Sequence, residues 1–228
     1  MNEQTHRVDV VLPCLDEAQA LPLVLGTLPP GMRAIVVDNG SRDGSPQVAA
    51  AFGAHVVTEP RRGYGAACHR GLVEATAPLV AFCDADGTID LGALKELADI
   101  VEAGQADLVL GRRIAPPGTW PMHARVANAV LSLPMSVAAR TRLHGLGPLR
   151  LSRRQPLLDL GLADRRSGYP METVLRAASA GWTIREVDVD YRPRVGRSKV
   201  TGTVRGTAVA VRDMSALLWR SRGGRRPL

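Results

Sequence analysis

The sequence predicts an α/β fold: one doubly wound, mainly parallel sheet with helices on both faces and an extension at the C-terminal end. Three observations carry this. Apolar runs alternate with helical stretches four times over the first 111 residues, the pattern of a parallel sheet covered by its own crossovers. Ala34-Ile35-Val36-Val37 is almost wholly apolar, as strands buried on both faces are. The turns Pro13–Glu17, Asp38–Gly44, Glu59–Gly65 and Asp84–Thr88 fall after the runs, and three of them carry carboxylates at or near their first positions. Ligands of such sheets bind outside the carboxyl ends of the strands, so these turns are where chemistry is expected.

Val8–Leu12 is the first strand, stopped by Pro13, and Ala18–Leu28 a helix ended by Pro29-Pro30. The second strand is Ala34–Val37, and Ser45-Pro46 opens the next helix as N-cap and first-turn proline. His55–Thr58 is the third strand, followed by a loop to Gly65 and a helix from Ala66 to about Ala75. Leu79–Cys83 is the fourth. Asp90–Ala103 is a helix with Gly104 as its stop, and Asp107–Leu110 is the fifth strand. Beyond Arg112-Arg113 the pattern changes. A loop at Pro116-Pro117-Gly118 precedes a helical stretch from Met122 to Thr141, then a turn at Gly145–Pro148 and a short strand at Leu149–Leu151. A helix over Pro170–Ala180 and an alternating strand over Thr183–Val189 lead to a basic loop, Arg192–Lys199. A last helix, Thr203–Trp219, and a basic tail complete the chain, which is expected to be a single domain over residues 1–228.

Composition narrows the class. Hydrophobic residues make up 45% and charged residues 22%, ordinary for a soluble globular protein. Charge is uneven: residues 1–111 hold 7 Lys+Arg against 15 Asp+Glu, and residues 112–228 hold 22 against 7. The second half is therefore expected to meet an anion. The pI of about 10.1 raises nucleic-acid binding as an alternative, but aromatics are only 4% and no stacking motif or reading helix is present, so no nucleic-acid partner is expected. Cys14, Cys68 and Cys83 lie far apart among apolar or small residues, as reduced core cysteines of a cytosolic protein do. No signal-peptide pattern opens the chain, and the longest apolar window, Val126–Ala139, is shorter than the ~20 residues a spanning helix needs. The expected location is cytoplasmic. Peripheral attachment to the inner face of the cell membrane is an option that the last helix, apolar along Val204, Ala208, Val211 and Leu218 with cationic flanks, leaves open.

The candidate centre is Cys83-Asp84-Ala85-Asp86-Gly87. Two carboxylates around one small residue at a strand end suit a hard divalent cation, Mg²⁺ or Mn²⁺, whose remaining ligands come from water and substrate phosphates. Val10–Glu17, Val36–Ser45, Arg62–Ala67 and Phe82–Asp86 stand in the order and spacing of family 2, GT-A-fold glycosyltransferases, which the chain resembles. Gly147-Pro148-Leu149-Arg150, Gly168–Glu172 and Tyr191–Lys199 resemble the acceptor half of the polyprenyl-phosphate branch, the dolichyl-phosphate mannose and glucose synthases.

The resemblance implies a GT-A (Rossmann-like) domain with a nucleotide-sugar half, residues 1–111, and a basic acceptor half, residues 112–228. It implies an inverting transfer of a hexose from UDP-glucose or GDP-mannose to a polyprenyl phosphate. Pro13, Asp16, Glu17 and Asp38 would line the nucleoside pocket, and Asp84 and Asp86 would meet ribose and metal. Gly63 and Gly65 would let the backbone approach the diphosphate. Arg112, Arg150, Arg194, Arg197, Ser198 and Lys199 are the acceptor-phosphate candidates, arginine offering a bidentate fork and lysine a mobile charge. A phosphate acceptor is already a nucleophile; a hydroxyl acceptor needs a base, for which Glu172 is the candidate, its alternative being an exposed carboxylate in a helix's first turn.

Four positions depart from the family: Asp16 where Asn is common, Asn39 where Asp is common, Thr88 where many lipid-phosphate relatives have Gln, and Gly145 where relatives often have Asp. Gly145 and the lack of an apolar span favour a soluble acceptor as the alternative within the class. A nucleotidyltransferase is disfavoured because Leu12-Pro13-Cys14-Leu15 is no Gly-rich loop. A non-catalytic nucleotide-binding relative stays open.

Overall fold

The computed structural model describes residues 6–114 and 132–195. Among them seven strands form one sheet in the order β3-β2-β1-β4-β6-β5-β7. β1 (Val8–Cys14), β2 (Met32–Asp38), β3 (His55–Thr58) and β4 (Leu79–Cys83) pair in parallel, as expected. The fifth strand, β5 (Leu108–Ile114), is not β4's neighbour. β6 (Leu149–Arg153) lies between them, antiparallel to both, and β7 (Ile184–Asp190) continues in parallel beyond β5. Six strands thus point one way and β6 the other, bringing the basic half's strands into the acidic half's sheet.

Side chains alternate between two cores. Val8, Val10, Leu12, Val36 and Ala81 pack on one face under α1 (Leu21–Leu25) and α4 (Leu94–Glu102). Val11, Ile35, Val37, Val80 and Phe82 pack on the other under α3 (Tyr64–Glu74). A third cluster joins Leu108 and Leu110 of β5 to Met135, on a helix over residues 132–139, and to Met171 and Val174 of the helix Tyr169–Ser179. All three cysteines are buried and unbridged, and burial pushes the Cys14 and Cys68 thiols up to about 11 and about 12. They are core residues.

Several boundaries differ from the sequence reading for local reasons. β1 runs through Pro13 because Cys14 O accepts from Asn39 N, which turns residue 14 toward β2 and residue 13 toward β4. Pairing with β4 has already ended at Val11, so proline removes no ladder bond there. α1 is shorter than the expected Ala18–Leu28: Ala18 N is held by Asp43 Oδ2, Pro22 sits in the first turn, and Gly26 closes the helix. α2 (Ser45–Ala51) takes Gly44 as its N-cap, and Ser45 is not a cap but a tie, its hydroxyl donating to Asp43 Oδ1 and accepting from Glu17 N. Asp90 caps a 3₁₀ turn, Leu91–Ala93, through Gly92 N before α4 begins. The loop Pro116–Gly118, much of the stretch from Met122, Arg197, Ser198, Lys199, the last helix and the tail lie outside the described residues. No helix among those described is long and apolar enough to cross a membrane.

Candidate active site

The parallel strands end in one row, and their turns are pinned to one another. Asp16 N donates to Ser41 Oγ (2.8 Å) and Asp16 Oδ1 accepts from Arg42 N (2.6 Å), so the β1 and β2 turns form one surface. Asp16 has φ of 50°, a left-handed backbone that Asn, Asp and Gly adopt most readily. Asp38 is buried and accepts from Gly40 N and Ser41 N, closing its own turn. Asn39 donates to Glu59 O and Arg61 O (2.8 Å each) and accepts from Gly63 N (2.9 Å), fixing the loop after β3. A carboxylate could not donate to those carbonyls, which gives the Asn at this departure a physical reason.

Gly63 and Gly65 belong to this surface, but their lack of side chains serves a protein contact. A Cβ on Gly63 (φ 144°) would stand 2.2 Å from Arg165 O, and one on Gly65 2.8 Å from Arg166 O. Gly65 N and Ala66 N donate to Arg166 O and Arg165 O, so the first turn of α3 docks on residues 163–166. That segment is held by Glu172, whose carboxylate accepts from Ala163 N, Asp164 N and, at 2.7 Å, Arg176 Nε. The expectation of an exposed carboxylate is corrected: its side chain is 7% exposed and holds a loop.

At the end of β4, Asp84 and Asp86 are partly buried, 28% and 14% exposed. Tyr64 Oη donates to Asp84 Oδ1 (3.1 Å) and accepts from Arg150 Nη2 (3.0 Å). Burial, then the neighbouring charge of Asp86, raises the Asp84 carboxyl above the ordinary carboxylate range, against the pull of Arg113 and Arg150. Asp86 Oδ1 accepts from Thr88 Oγ1 (2.7 Å) and Thr88 N (3.1 Å), so Thr88 orients this carboxylate.

The arginines sort differently from the sequence reading. Arg150 is 2% exposed, donates to Gly147 O and lies over the Phe82 and Tyr64 rings; it stands behind Asp84 and is no surface phosphate contact. Arg112 pairs with Asp188 across β5 and β7. Its neighbour Arg113, on the opposite side of the strand by alternation, lies 3.7 Å from Asp84 Oδ2. Arg194 reaches Asp86 Oδ2 (3.2 Å) and Glu17 Oε1 (2.5 Å). A cavity of about 310 Å³ is walled by Gly111–Ile114, His144–Pro148 and Glu186, with His144 Nδ1 donating to Glu186 Oε2 at 2.7 Å. Tyr64, Thr88 and Arg113 are the site residues that sequence reasoning missed.

Among the described residues no group of three or more His, Cys, Asp or Glu side chains could hold a metal unaided. Asp84 and Asp86 nevertheless fit a Mg²⁺ or Mn²⁺ ion whose other ligands are water and phosphate oxygens, and a guanidinium already lodges where positive charge is wanted.

A seven-stranded, mostly parallel sheet flanked by helices is the GT-A arrangement of the glycosyltransferase structures on which the chain superposes. The chain belongs to glycosyl transferase family 2, whose profile matches residues 6–155. An uncharacterized glycosyltransferase of Mycobacterium tuberculosis (strain ATCC 25618 / H37Rv) is 51% identical over 208 residues, 90% of this chain and 95% of that protein. The polyprenol monophosphomannose synthase of Mycolicibacterium smegmatis is 30% identical over 221 residues, 87% and 83% of the two chains. Among solved structures, the glucosyl-3-phosphoglycerate synthase of M. tuberculosis, in complex with Mn²⁺, UDP and glucosyl-3-phosphoglycerate, superposes with a TM-score of 0.75 at 22% identity, covering 96% of this chain and 80% of that one. The protein is a glycosyltransferase of this family.

Proposed function

We propose that the protein transfers a hexose, with inversion, from UDP-glucose or GDP-mannose to the phosphate of a polyprenyl-phosphate acceptor, using Mg²⁺ or Mn²⁺. The observation that carries this reading is the meeting of Asp84 and Asp86 with Arg113 and Arg194, carboxylates from the donor half facing guanidinium groups from the acceptor half. The relative named as a polyprenol monophosphomannose synthase supports the lipid-phosphate acceptor.

The turns after β1 and β2 hold the nucleoside through Pro13, Asp16 and Asp38, and the first turn of α3 lies beside the diphosphate. When bound, the metal supplies charge neutralisation to the departing diphosphate. Asp84 and Asp86 would hold it, their oxygens fixed by Tyr64 and Thr88. An acceptor phosphate oxygen attacks the sugar's C1 from the face opposite the leaving diphosphate, the new C–O bond forming as the old one breaks. Arg113, beside Asp84, steadies the acceptor phosphate. No general base is needed at an oxyanion, which agrees with Glu172 being committed to a loop.

A soluble phosphorylated acceptor is the second reading, favoured by the cavity beside Gly145 and by the fold neighbour named as glucosyl-3-phosphoglycerate synthase. Calorimetric titration of UDP-glucose, GDP-mannose, UDP and GDP, with Mn²⁺ or EDTA, on wild type and Asp86→Ala tests the donor site. Metal-dependent binding of one nucleotide, lost in the variant, is expected; no binding of any would sink the transferase reading. Transfer of labelled sugar to a short polyprenyl phosphate or to 3-phosphoglycerate then separates the acceptors.

A further inference from the structure

The segment after β7 runs back over the acid pair. Tyr191 bridges Ile89 in antiparallel fashion, Arg192 N donates to Thr88 O (2.8 Å), and Val195 N donates to Asp86 O (3.2 Å). Arg192 Nη2 is also 2.6 Å from Asp90 Oδ2. Residues 191–195 are thereby strapped along residues 86–90.

The strap delivers one side chain. Arg194, 23% exposed, places Nη1 at 3.2 Å from Asp86 Oδ2 and Nη2 at 2.5 Å from Glu17 Oε1, while its Nε is buried without a hydrogen-bond partner. Asp86 Oδ1 is taken up by Thr88, so Oδ2 is the oxygen turned toward the centre of the site, and Arg194 sits on it. The guanidinium and a divalent cation would need the same oxygen.

We infer that Arg194 is a built-in competitor of the metal: it neutralises Asp86 and Glu17 in the ligand-free protein and gives Asp86 up only when cation and nucleoside diphosphate arrive together. The inference rests on the donor site proposed above. Glu17, Asp84 and Asp86 are three partly buried carboxylates, and close like charges repel. A cation arriving alone must displace Arg194 and leave its guanidinium poorly paired. A cation arriving with a diphosphate brings oxyanions to which Arg194 can transfer, through the bidentate geometry arginine favours. Metal and nucleotide are therefore coupled, each raising the affinity of the other by the same factor.

The test reads metal binding and not turnover. Mn²⁺ is titrated into the full chain, with free Mn²⁺ followed by electron paramagnetic resonance, first alone and then with saturating UDP or GDP, for wild type, Arg194→Gln and Arg194→Lys. Arg194→Gln should bind Mn²⁺ alone roughly tenfold tighter than wild type, the scale of one charge-assisted hydrogen bond, and should show weaker coupling to nucleotide. Arg194→Lys, which keeps the charge, should stay near wild type. Val195→Pro, which removes the strap's bond to Asp86 O without touching the guanidinium, should shift Mn²⁺ affinity in the same direction and serves if Arg194→Gln does not fold. Unchanged or weaker binding of Mn²⁺ alone by Arg194→Gln or Val195→Pro, with nucleotide coupling intact, overturns the inference and spares the donor site. Absence of any UDP or GDP effect on Mn²⁺ binding in wild type overturns both.

Discussion

Replacing Glu172 distinguishes a loop-holding carboxylate from a catalytic one. Its oxygens accept from Ala163 N at 3.0 and 3.1 Å and from Asp164 N at 2.7 Å. Hydrogen bonds to a charged group contribute about 1.5–3 kcal/mol each, and the two amides are only part-exposed. The pair with Arg176 is discounted to roughly 0.5 kcal/mol, because Arg176 is 45% exposed and the spacing is i,i+4. Glu172→Ala should thus cost about 3.5–6.5 kcal/mol, and Glu172→Gln, which retains one acceptor oxygen but turns an amide toward the second N–H, about 2 kcal/mol. At about 2–4 °C per kcal/mol for a chain of this size, melting should fall by roughly 7–26 °C for Ala and roughly 4–8 °C for Gln. The loop so loosened carries the carbonyls of Arg165 and Arg166 on which the first turn of α3 and Tyr64 rest, so nucleotide–Mn²⁺ affinity should weaken alongside stability. Thermal unfolding by circular dichroism, nucleotide calorimetry and transfer rates are measured on the same samples. A Glu172→Gln variant that melts within about 1 °C of wild type, binds nucleotide normally and loses transfer by a hundredfold would refute this reasoning and make Glu172 a base.

Two further outcomes are expected. Asn39→Asp restores the residue common in the family but sets a carboxylate against Glu59 O and Arg61 O, so it should lower stability by about 2–4 kcal/mol in urea unfolding; an unchanged midpoint would remove Asn39 as the pin of that loop. Asp9 is fully buried; burial would raise its carboxyl, but Arg33 and the amides of Ala77 and Thr76 outweigh burial and hold it below the usual range. A depressed carboxyl stabilises the fold above its unfolded value of about 3.9, and this is lost as pH falls through the native value. The stability gap between wild type and Asp9→Asn should therefore be full at neutral pH and close below about pH 4; parallel curves of unfolding free energy against pH would contradict it.

The first four strands and the turns that carry the site were legible because their signals are local. Apolar runs such as Leu79–Cys83 mark buried strands, and Pro, Gly and Asp mark where they stop. The insertion of β6 between β4 and β5 was not legible, since it depends on pairings such as Phe82 with Arg150, far apart in sequence. That pairing also decides the fate of Arg150: beside a buried Phe it is drawn inside. With the fifth strand read as ending at Leu110, the sequence assigns Arg112 and Arg113 to no face of the sheet. Once the strand runs to Ile114, alternation turns Arg112 to Asp188 and Arg113 to Asp84. Thr88 was noted only as a departure, although a hydroxyl two residues after an Asp at a turn is a local signal for bonding to that carboxylate. The loop-holding bonds of Glu172 carry no such signal, because they are made to the backbone amides of Ala163 and Asp164; only its i,i+4 partner Arg176 is visible in the sequence.

The charge asymmetry of the chain takes on a more specific sense in the folded protein. Much of the second half's positive charge near the site is already engaged with the first half's carboxylates: Arg113 with Asp84, Arg194 with Asp86 and Glu17, Arg192 with Asp90. An anionic donor coming alone would draw Arg113 and Arg194 toward itself and leave partly buried carboxylates uncompensated, a costly state in a low-dielectric site. A donor whose diphosphate is neutralised by a divalent cation leaves every group paired: carboxylates with the cation, guanidinium groups with phosphate oxygens. Metal dependence on the proposed reading follows from this exchange of partners as much as from the acid pair itself. On the same reading, a site with two well-placed carboxylates would discriminate between a bare cation and a cation carried by its substrate.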